Sequence, residues 1–231
     1  MADHELNELL QKLREIPLDK ETSNDLNLIK SAGINSMDDM MNKAKDETVE
    51  KQIRLIICWC LGRSTHPKTM ETLLACAQDN DEGIRAEAVK SLGSLGKTEA
   101  VPVLINLMMN DKNMEVRKSA VYALGLIGDL RAFDMLVFKM HDQNEVPEVR
   151  GMAAEALGDL GDQYAVAPLI RALSDDSNEV KFWAANSLGR LGETEAIPAL
   201  KNLINQLKQD GTDLSVKKEA QDAIKKIEDK N

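Results

Sequence analysis

A ten-residue phrase returns along this chain at nearly constant spacing, and it limits the fold more than any other feature. It reads Ile84-Arg85-Ala86-Glu87-Ala88-Val89-Lys90-Ser91-Leu92-Gly93, then Val116-Arg117-Lys118-Ser119-Ala120-Val121-Tyr122-Ala123-Leu124-Gly125. It recurs at 149–158 and 180–189, with worn copies at 53–62 and 216–225. The copies end at Gly62, Gly93, Gly125, Gly158, Gly189 and Lys225, in steps of 31 to 33 residues and a last step of 36. A period in the low thirties made of helix-forming sequence marks a solenoid, because one helical hairpin cannot bury its apolar face and must stack on the next. The expected fold is all-α, a right-handed superhelix of about six hairpins. Residues 1–47 read as an acidic N-terminal helical cap and 48–228 as the repeat array, the two forming one continuous domain.

Within the phrase, positions one, five, six, eight and nine are apolar or small. They fall on one broad stripe of a helix at 3.6 residues per turn. Position eight is small in every strong copy (Ser91, Ala123, Ala156, Ser187), which lets a neighbouring helix come close. The Gly at position ten suits the same close approach, since Gly inside a helix otherwise costs about 1 kcal/mol against Ala. Three residues on, Gly96, Gly128, Gly161 and Gly192 suit the left-handed position that ends a helix. A second helix follows each phrase, with Pro102, Pro168 or Pro198 in its first turn, where a missing N–H is tolerated. Acidic turns come next, at 79–82, 110–111 and 175–178, and suit N-caps for the following phrase. In the cap, Pro17 would stop a first helix. Residues 22–25 would cap a second running to Gly33, and Ser36 with Asp39 would cap a third.

Charge excludes some partners. The formal net charge is −10, and residues 1–50 hold 12 acids against 6 bases. Binding nucleic acid by counterion release needs a concentrated basic face, so no nucleic-acid partner is expected. No apolar run reaches the roughly 18 residues of a membrane helix, and the first residues lack a secretory pattern. Three Cys give no disulfide framework. The expectation is a cytoplasmic protein without membrane contact.

The pattern Val149-Arg150-Gly151-Met152-Ala153-Ala154-Glu155-Ala156-Leu157-Gly158-Asp159-Leu160-Gly161-Asp162 resembles HEAT-like repeats. It is most similar to the short subtype found in phycobilisome bilin lyases, and the resemblance covers about residues 48–228. It specifies fold and says little of function, because such repeats also build metal hydroxylases, DNA glycosylase-like proteins and plain scaffolds. Hydroxylases of this kind use repeated His-Glu pairs as iron ligands; here only His4-Glu5 forms such a pair, outside the repeats.

Two sets of positions remain for function. Position two is Arg54, Arg85, Arg117, Arg150 and Lys181, with Lys217 in the worn last copy. One reading is a basic stripe for an anionic ligand. The favoured one is an inter-repeat ladder in which each cation meets turn acids such as Asp111 or Asp176, a role that suits the planar donors of Arg. Positions three, four and seven face away from the packing stripe and would line the concave groove. There the chain places scarce aromatics, which as groove anchors are typical of binding hot spots. The candidate partner-binding residues are Trp59, Lys90, Lys118, Tyr122, Met152, Glu155, Phe182, Trp183 and Asn186. The competing reading is local packing, with Trp59 under the cap and Phe182-Trp183 under residues 205–215.

Cys58, Cys60, His66 and Cys76 offer ligand types for zinc or an iron–sulfur cluster. Cys58 and Cys60 fall on the packing stripe, however, and two residues apart on a helix they point about 200° apart. No metal, cofactor or catalytic residue is therefore assigned. The leading expectation is a non-enzymatic scaffold that holds another protein. The alternative implied by the resemblance is a bilin lyase-type protein handling a tetrapyrrole on a phycobiliprotein, and a weaker one is an iron–sulfur or metal-handling accessory factor.

Overall fold

The computed structural model describes residues 4–15, 29, 32–210 and 214–230, with the side chains of 12–15 and 208–210 excepted. The expected stop at Pro17 and the cap at 22–25 lie outside these residues. Among them the chain forms thirteen α-helices and no strand. They are α1 His4–Glu15, α2 Met37–Lys45, α3 Lys51–Leu61, α4 Thr69–Cys76, α5 Glu82–Leu95, α6 Val101–Asn110, α7 Met114–Ile127, α8 Phe133–His141, α9 Pro147–Leu160, α10 Val166–Ala172, α11 Asn178–Leu191, α12 Ile197–Asp210 and α13 Leu214–Lys230. The phrases form α3, α5, α7, α9, α11 and α13, termed the inner helices after the groove expected of them. Short 3₁₀ turns such as Thr98–Ala100 and Gln163–Ala165 lead into the outer helices. The fold class is an all-α solenoid of hairpins.

The chain packs as two compact units. The N-terminal unit takes residues up to Leu107 together with Asp111–Ala123, and the C-terminal unit takes Met108–Asn110 together with residues from Leu124 onward. In the first, α3 packs along α5, with α4 behind them and α2 covering α3 and α4. Leu6, Leu9 and Leu10 of α1 are buried, as are Met37, Met40 and Met41 of α2. Ser36 Oγ accepts from Asp39 N at 3.0 Å and starts α2. In the second unit, α9 packs along α11 and α11 along α13, with α8, α10 and α12 outside.

Stacking is set by the small residues. The two Gly of each phrase copy divide the work. An added Cβ on Gly93 would lie 2.8 Å from Ala123 Cα, and one on Gly189 would lie 2.8 Å from Ala223 Cα. One on Gly158 would lie 2.6 Å from Ser187 Cβ. The glycine at position ten therefore meets the small residue at position eight of the next inner helix, backbone against side chain. The later glycines serve the chain turn instead. Gly96 has φ +65°, and an added Cβ there meets nothing within 4 Å. Gly161 and Gly192 repeat the left-handed backbone at φ +69° and +84°, the conformation that favours Gly.

Helix starts come from the turns. Asp81 Oδ1 accepts from Gly83 N at 2.8 Å and Ile84 N at 3.1 Å. Asn113 Oδ1 accepts from Glu115 N at 2.8 Å, and Ser177 Oγ accepts from Glu179 N at 3.2 Å. In the 110–111 turn the capping side chain is thus Asn113, two residues later than the expected Asn110-Asp111, because Asp111 is drawn to Arg85.

Candidate functional site

The ladder positions are held from two sides. Arg85 Nε and Nη2 donate to Asp111 Oδ2 and Oδ1 at 2.9 and 3.0 Å. Its Nη1 donates to the main-chain oxygens of Asp79 and Asn80 at 2.9 and 3.1 Å. Arg85 therefore links its own turn to the next. Arg54 pairs with Asp79 and donates to Ala44 O at 3.0 Å. Arg150 donates to Asp175 at 2.8 Å and to Glu145 O at 2.6 Å. The turn acid is thus Asp175 and not Asp176, which is exposed. Arg117 donates to the main chain of Asp111 and Lys112 at 3.0 and 3.3 Å. Lys181 makes no ion pair among the described residues; the side chains of 208–213, the turn it would meet, lie outside them.

These rungs are buried: the Arg85 and Asp111 side chains are 8% and 5% exposed. Burial pushes the Asp111 carboxyl up, but bonds from Arg85 and from Asn113 N outweigh it and hold it below the ordinary range. The same balance lowers Asp175, through Arg150, Ser177 N and Gln143. A further buried pair, Lys139 Nζ to Glu145 Oε2 at 3.1 Å, ties α8 to the turn before α9. With both partners desolvated, such pairs specify how turns meet more than they add stability.

The inner faces differ from the sequence expectation in one respect. Positions three and four are not uniformly open: Ala86 and Ser119 are buried, and so are Ile56 and Gly151. At Gly151 the neighbouring helix supplies the cover, with Trp183 and Glu179 beside it. Position seven is the more open one, with Lys90 exposed and Tyr122 48% exposed.

In the N-terminal unit, Trp59 is partly exposed and the Arg63 guanidinium lies 4.0 Å from its ring centre, a cation–π contact. Lys90 pairs with Glu87 at 2.9 Å and Lys118 with Glu115 at 2.7 Å. In the C-terminal unit, Phe182 and Trp183 are partly exposed and meet edge to face at 5.3 Å. Trp183 fits where Gly151 has no side chain: an added Cβ would lie 2.9 Å from Trp183 Cδ1. Asn186 Nδ2 donates to Glu219 Oε1 at 2.8 Å. Met152 and Glu155 are partly exposed. Burial raises the Glu155 carboxyl, Asp159 adds to this, and Arg190 opposes it. Trp183 meets Gly151 and Phe182 directly, so local packing and partial exposure coexist in the same side chain.

All three cysteines are buried free thiols. Burial pushes the Cys60 thiol up to about 12. A hydrogen bond with Cys76, together with burial, raises Cys58 well above its ordinary value. Cys58 and Cys60, held protonated in the core, are poor ligands and nucleophiles. Among the described residues no group of three or more His, Cys, Asp or Glu gathers as a metal site.

The family model for HEAT repeats matches residues 42–108, 84–146 and 137–225. The chain belongs to the HEAT-repeat family. Among the similar proteins, an uncharacterized phycocyanin operon protein Z of Pseudanabaena tenuis is 27% identical over 74% of this chain and 85% of its own length. The bilin biosynthesis protein PecE of Mastigocladus laminosus is 28% identical over 70% of this chain and 61% of its own. A deoxyhypusine hydroxylase of Schizosaccharomyces pombe is 35% identical over 43% of this chain and 32% of its own. This HEAT-repeat chain thus spans most of the first, under two thirds of the second and about a third of the third.

Two features of this HEAT-repeat chain escaped the sequence reading. A cleft of about 150 Å³ opens beside α1, lined by Glu5, Glu8, Met37, Arg63 and His66, with His66 Nε2 3.6 Å from Glu5 Oε2. Contacts between residues 61 apart leave no local pattern. On the outer helix α8, Met135 and Phe138 are exposed, Phe138 at 54%. Their spacing of three was a readable signal, since the matching positions of α6 carry Val103 and Asn106. No helix among the described residues is long and apolar enough to cross a membrane.

Proposed function

We propose that this HEAT-repeat protein is a non-enzymatic cytoplasmic scaffold that holds a partner protein on the inner faces of its hairpins. The observation that carries the reading is the Phe182–Trp183 pair. Two large aromatics sit partly exposed and pinned on one inner face, in a chain that is only 3% aromatic. Rigid aromatics of this kind bring contact area at small conformational cost. Met152, Glu155 and Asn186 complete that face. Trp59, Lys90, Lys118 and Tyr122 form the corresponding set in the N-terminal unit. The ladder of Arg54, Arg85, Arg117, Arg150 and Lys181 is structural in this reading, and 1–47 acts as the N-terminal cap of the array at 48–228.

The test compares partners captured by the wild type and by Phe182→Ala/Trp183→Ala, with folding checked by circular dichroism. Loss of specific partners from a folded variant supports the reading; an unchanged partner set sinks it.

A second reading is favoured by the relatives named for the phycocyanin operon and for bilin biosynthesis, each similar over more than two thirds of this chain. In it, the same aromatics stack on a tetrapyrrole, and the protein handles that group on a phycobiliprotein. An absorbance titration with phycocyanobilin discriminates: a red-shifted or intensified band lost in Trp183→Ala favours it, and an unshifted spectrum removes it. The hydroxylase relative brings no comparable support, because the chain has one His-Glu pair, His4-Glu5, and His4 lies 3.8 Å from Glu8 on the exposed side of α1.

A further inference from the structure

The N-terminal unit holds all three thiols of the chain, and two of them are hydrogen-bonded to each other. Cys58, on α3, donates to the sulfur of Cys76, the last residue of α4. Cys76 in turn lies 3.6 Å from Ala44 O, in the last turn of α2, as its donor. Arg54, one turn before Cys58 on α3, donates to the same Ala44 O at 3.0 Å. The two sulfurs therefore sit where three helices meet, beside a fixed guanidinium. They are not equivalent. The bond from Cys58 holds the Cys76 thiol below its ordinary value, helped by Arg54 and Lys45 and opposed by burial and Asp79. Cys58, as the donor, keeps its proton. Cys60 is the contrast: it is buried as deeply on the same helix, points about 200° away from Cys58, and is paired with neither of the other two thiols.

We infer that Cys58 and Cys76 form an oxidisable dithiol site, which a small hydroperoxide closes to a disulfide between α3 and α4. The Cys76 thiolate attacks one peroxide oxygen. An S–O bond forms, the O–O bond breaks, and the departing hydroxide takes up a proton as water. Cys58 then gives up its proton and attacks the sulfenic sulfur of Cys76. The S–S bond forms, the S–O bond breaks, and a second water leaves. Two thiols are oxidised by two electrons in all, and one hydrogen peroxide is reduced to two waters. Sulfurs already in hydrogen-bond contact need to close by about 2 Å to bond. Burial selects the reagent. Cys58 and Cys76 are 0% and 1% exposed, which excludes a bulky disulfide such as that of glutathione. The Arg54–Asp79 pair near Cys76 lines a cleft of about 250 Å³ beside the turn at 79–81, an approach that suits hydrogen peroxide. The inference is independent of the scaffold reading.

The test treats the folded full chain with excess hydrogen peroxide, then denatures it, alkylates the remaining thiols and maps the peptides by mass spectrometry. The expected map links the Cys58 and Cys76 peptides and leaves Cys60 alkylated, one free thiol in place of three. Dithiothreitol should restore all three. Cys60 is the internal control, since oxidation through general unfolding would consume it as well. Two variants separate the roles, with circular dichroism to show that they fold. In Cys76→Ala the loss of Cys58 should be at least about tenfold slower than in the wild type, because the attacking thiolate is gone. In Cys58→Ala, Cys76 should still oxidise, now to a sulfinic acid that dithiothreitol does not reverse. Three alkylated thiols after treatment, a link through Cys60, or loss of Cys58 in Cys76→Ala at the wild-type rate overturns the inference. If neither variant folds, the wild-type map decides it alone.

Discussion

In the N-terminal unit the inner-face side chains are engaged with one another: Arg63 covers Trp59, Lys90 pairs with Glu87, and Lys118 pairs with Glu115. In the C-terminal unit the same helix positions hold Met152, Glu155, Phe182 and Trp183, where aromatic packing replaces ion pairs and Glu155 lacks a donor among the described residues. The rungs differ too. Each unit has a buried arginine rung, Arg85–Asp111 in the first and Arg150–Asp175 in the second, whereas the last strong phrase carries Lys181, which makes no described ion pair. Two stretches built from one phrase therefore share their packing positions and part company at those that packing leaves open. A side chain satisfied by its own neighbours has little left for a partner, which is why Phe182 and Trp183 carry the proposed reading ahead of Trp59, Lys90 and Lys118.

The largest expected effect breaks or keeps the contrast between rungs. Arg85→Ala strands Asp111, a carboxylate 5% exposed, and should cost about 3–5 kcal/mol in denaturant unfolding. Lys181→Ala should change stability by less than about 0.5 kcal/mol. Similar costs for the two would mean that the paired and unpaired rungs do not differ.

Next comes close packing. Gly93→Ala drives a methyl to 2.8 Å from the Ala123 backbone and should cost about 1–3 kcal/mol by thermal unfolding, because the atom it meets cannot swing aside. Substitutions at the left-handed glycines should not tell the units apart. Gly96→Ala and Gly161→Ala, both with room for a Cβ, should each cost about 1 kcal/mol through backbone strain alone. A large difference between those two would show that one turn is doing more than ending a helix.

The smallest effect is a pH slope confined to the C-terminal unit. Burial, with Arg171, lowers the His141 pKa from its ordinary 6.5, against the pull of Asp175 and a main-chain bond at Pro168. Above pH 6.5 the folded and unfolded chains are both neutral at this residue. As pH falls through 6.5 the unfolded chain takes up the proton first, so stability declines. His141→Gln should flatten that part of the stability–pH curve. A wild-type curve that is flat or rises from pH 7 to 5.5, or a variant that keeps the slope, contradicts this assignment.

Periodicity made the solenoid legible because the rule relating small residues to helix stacking is local and repeats in every copy. Gly93 and Ala123 could be matched by position before any coordinates, and so could the left-handed role of Gly96. Arg85 was legible as one side of a contact, since it recurs at position two. Its acceptor was harder to choose: among adjacent turn acids, Asp175 turns toward Arg150 while Asp176 faces solvent, and nothing in the pair of residue types separates them. The open face was the least legible part of the site. Ala86 and Ser119 sit at positions assigned to the open face, yet both are buried.

By itself, then, the sequence determined the repeat length, the helix identities, the glycines that let inner helices touch, and the residue types at each register position. Those properties follow from backbone geometry and from the burial of one apolar stripe, both set within a single repeat. Only the tertiary structure decided which acid completes each rung, which inner positions remain open, and that Trp59 is capped by Arg63 while Trp183 is pinned against Gly151. These depend on distances between helices in different repeats. A few tenths of an ångström there separate a covered side chain from an exposed one, and a repeat phrase does not encode differences so small.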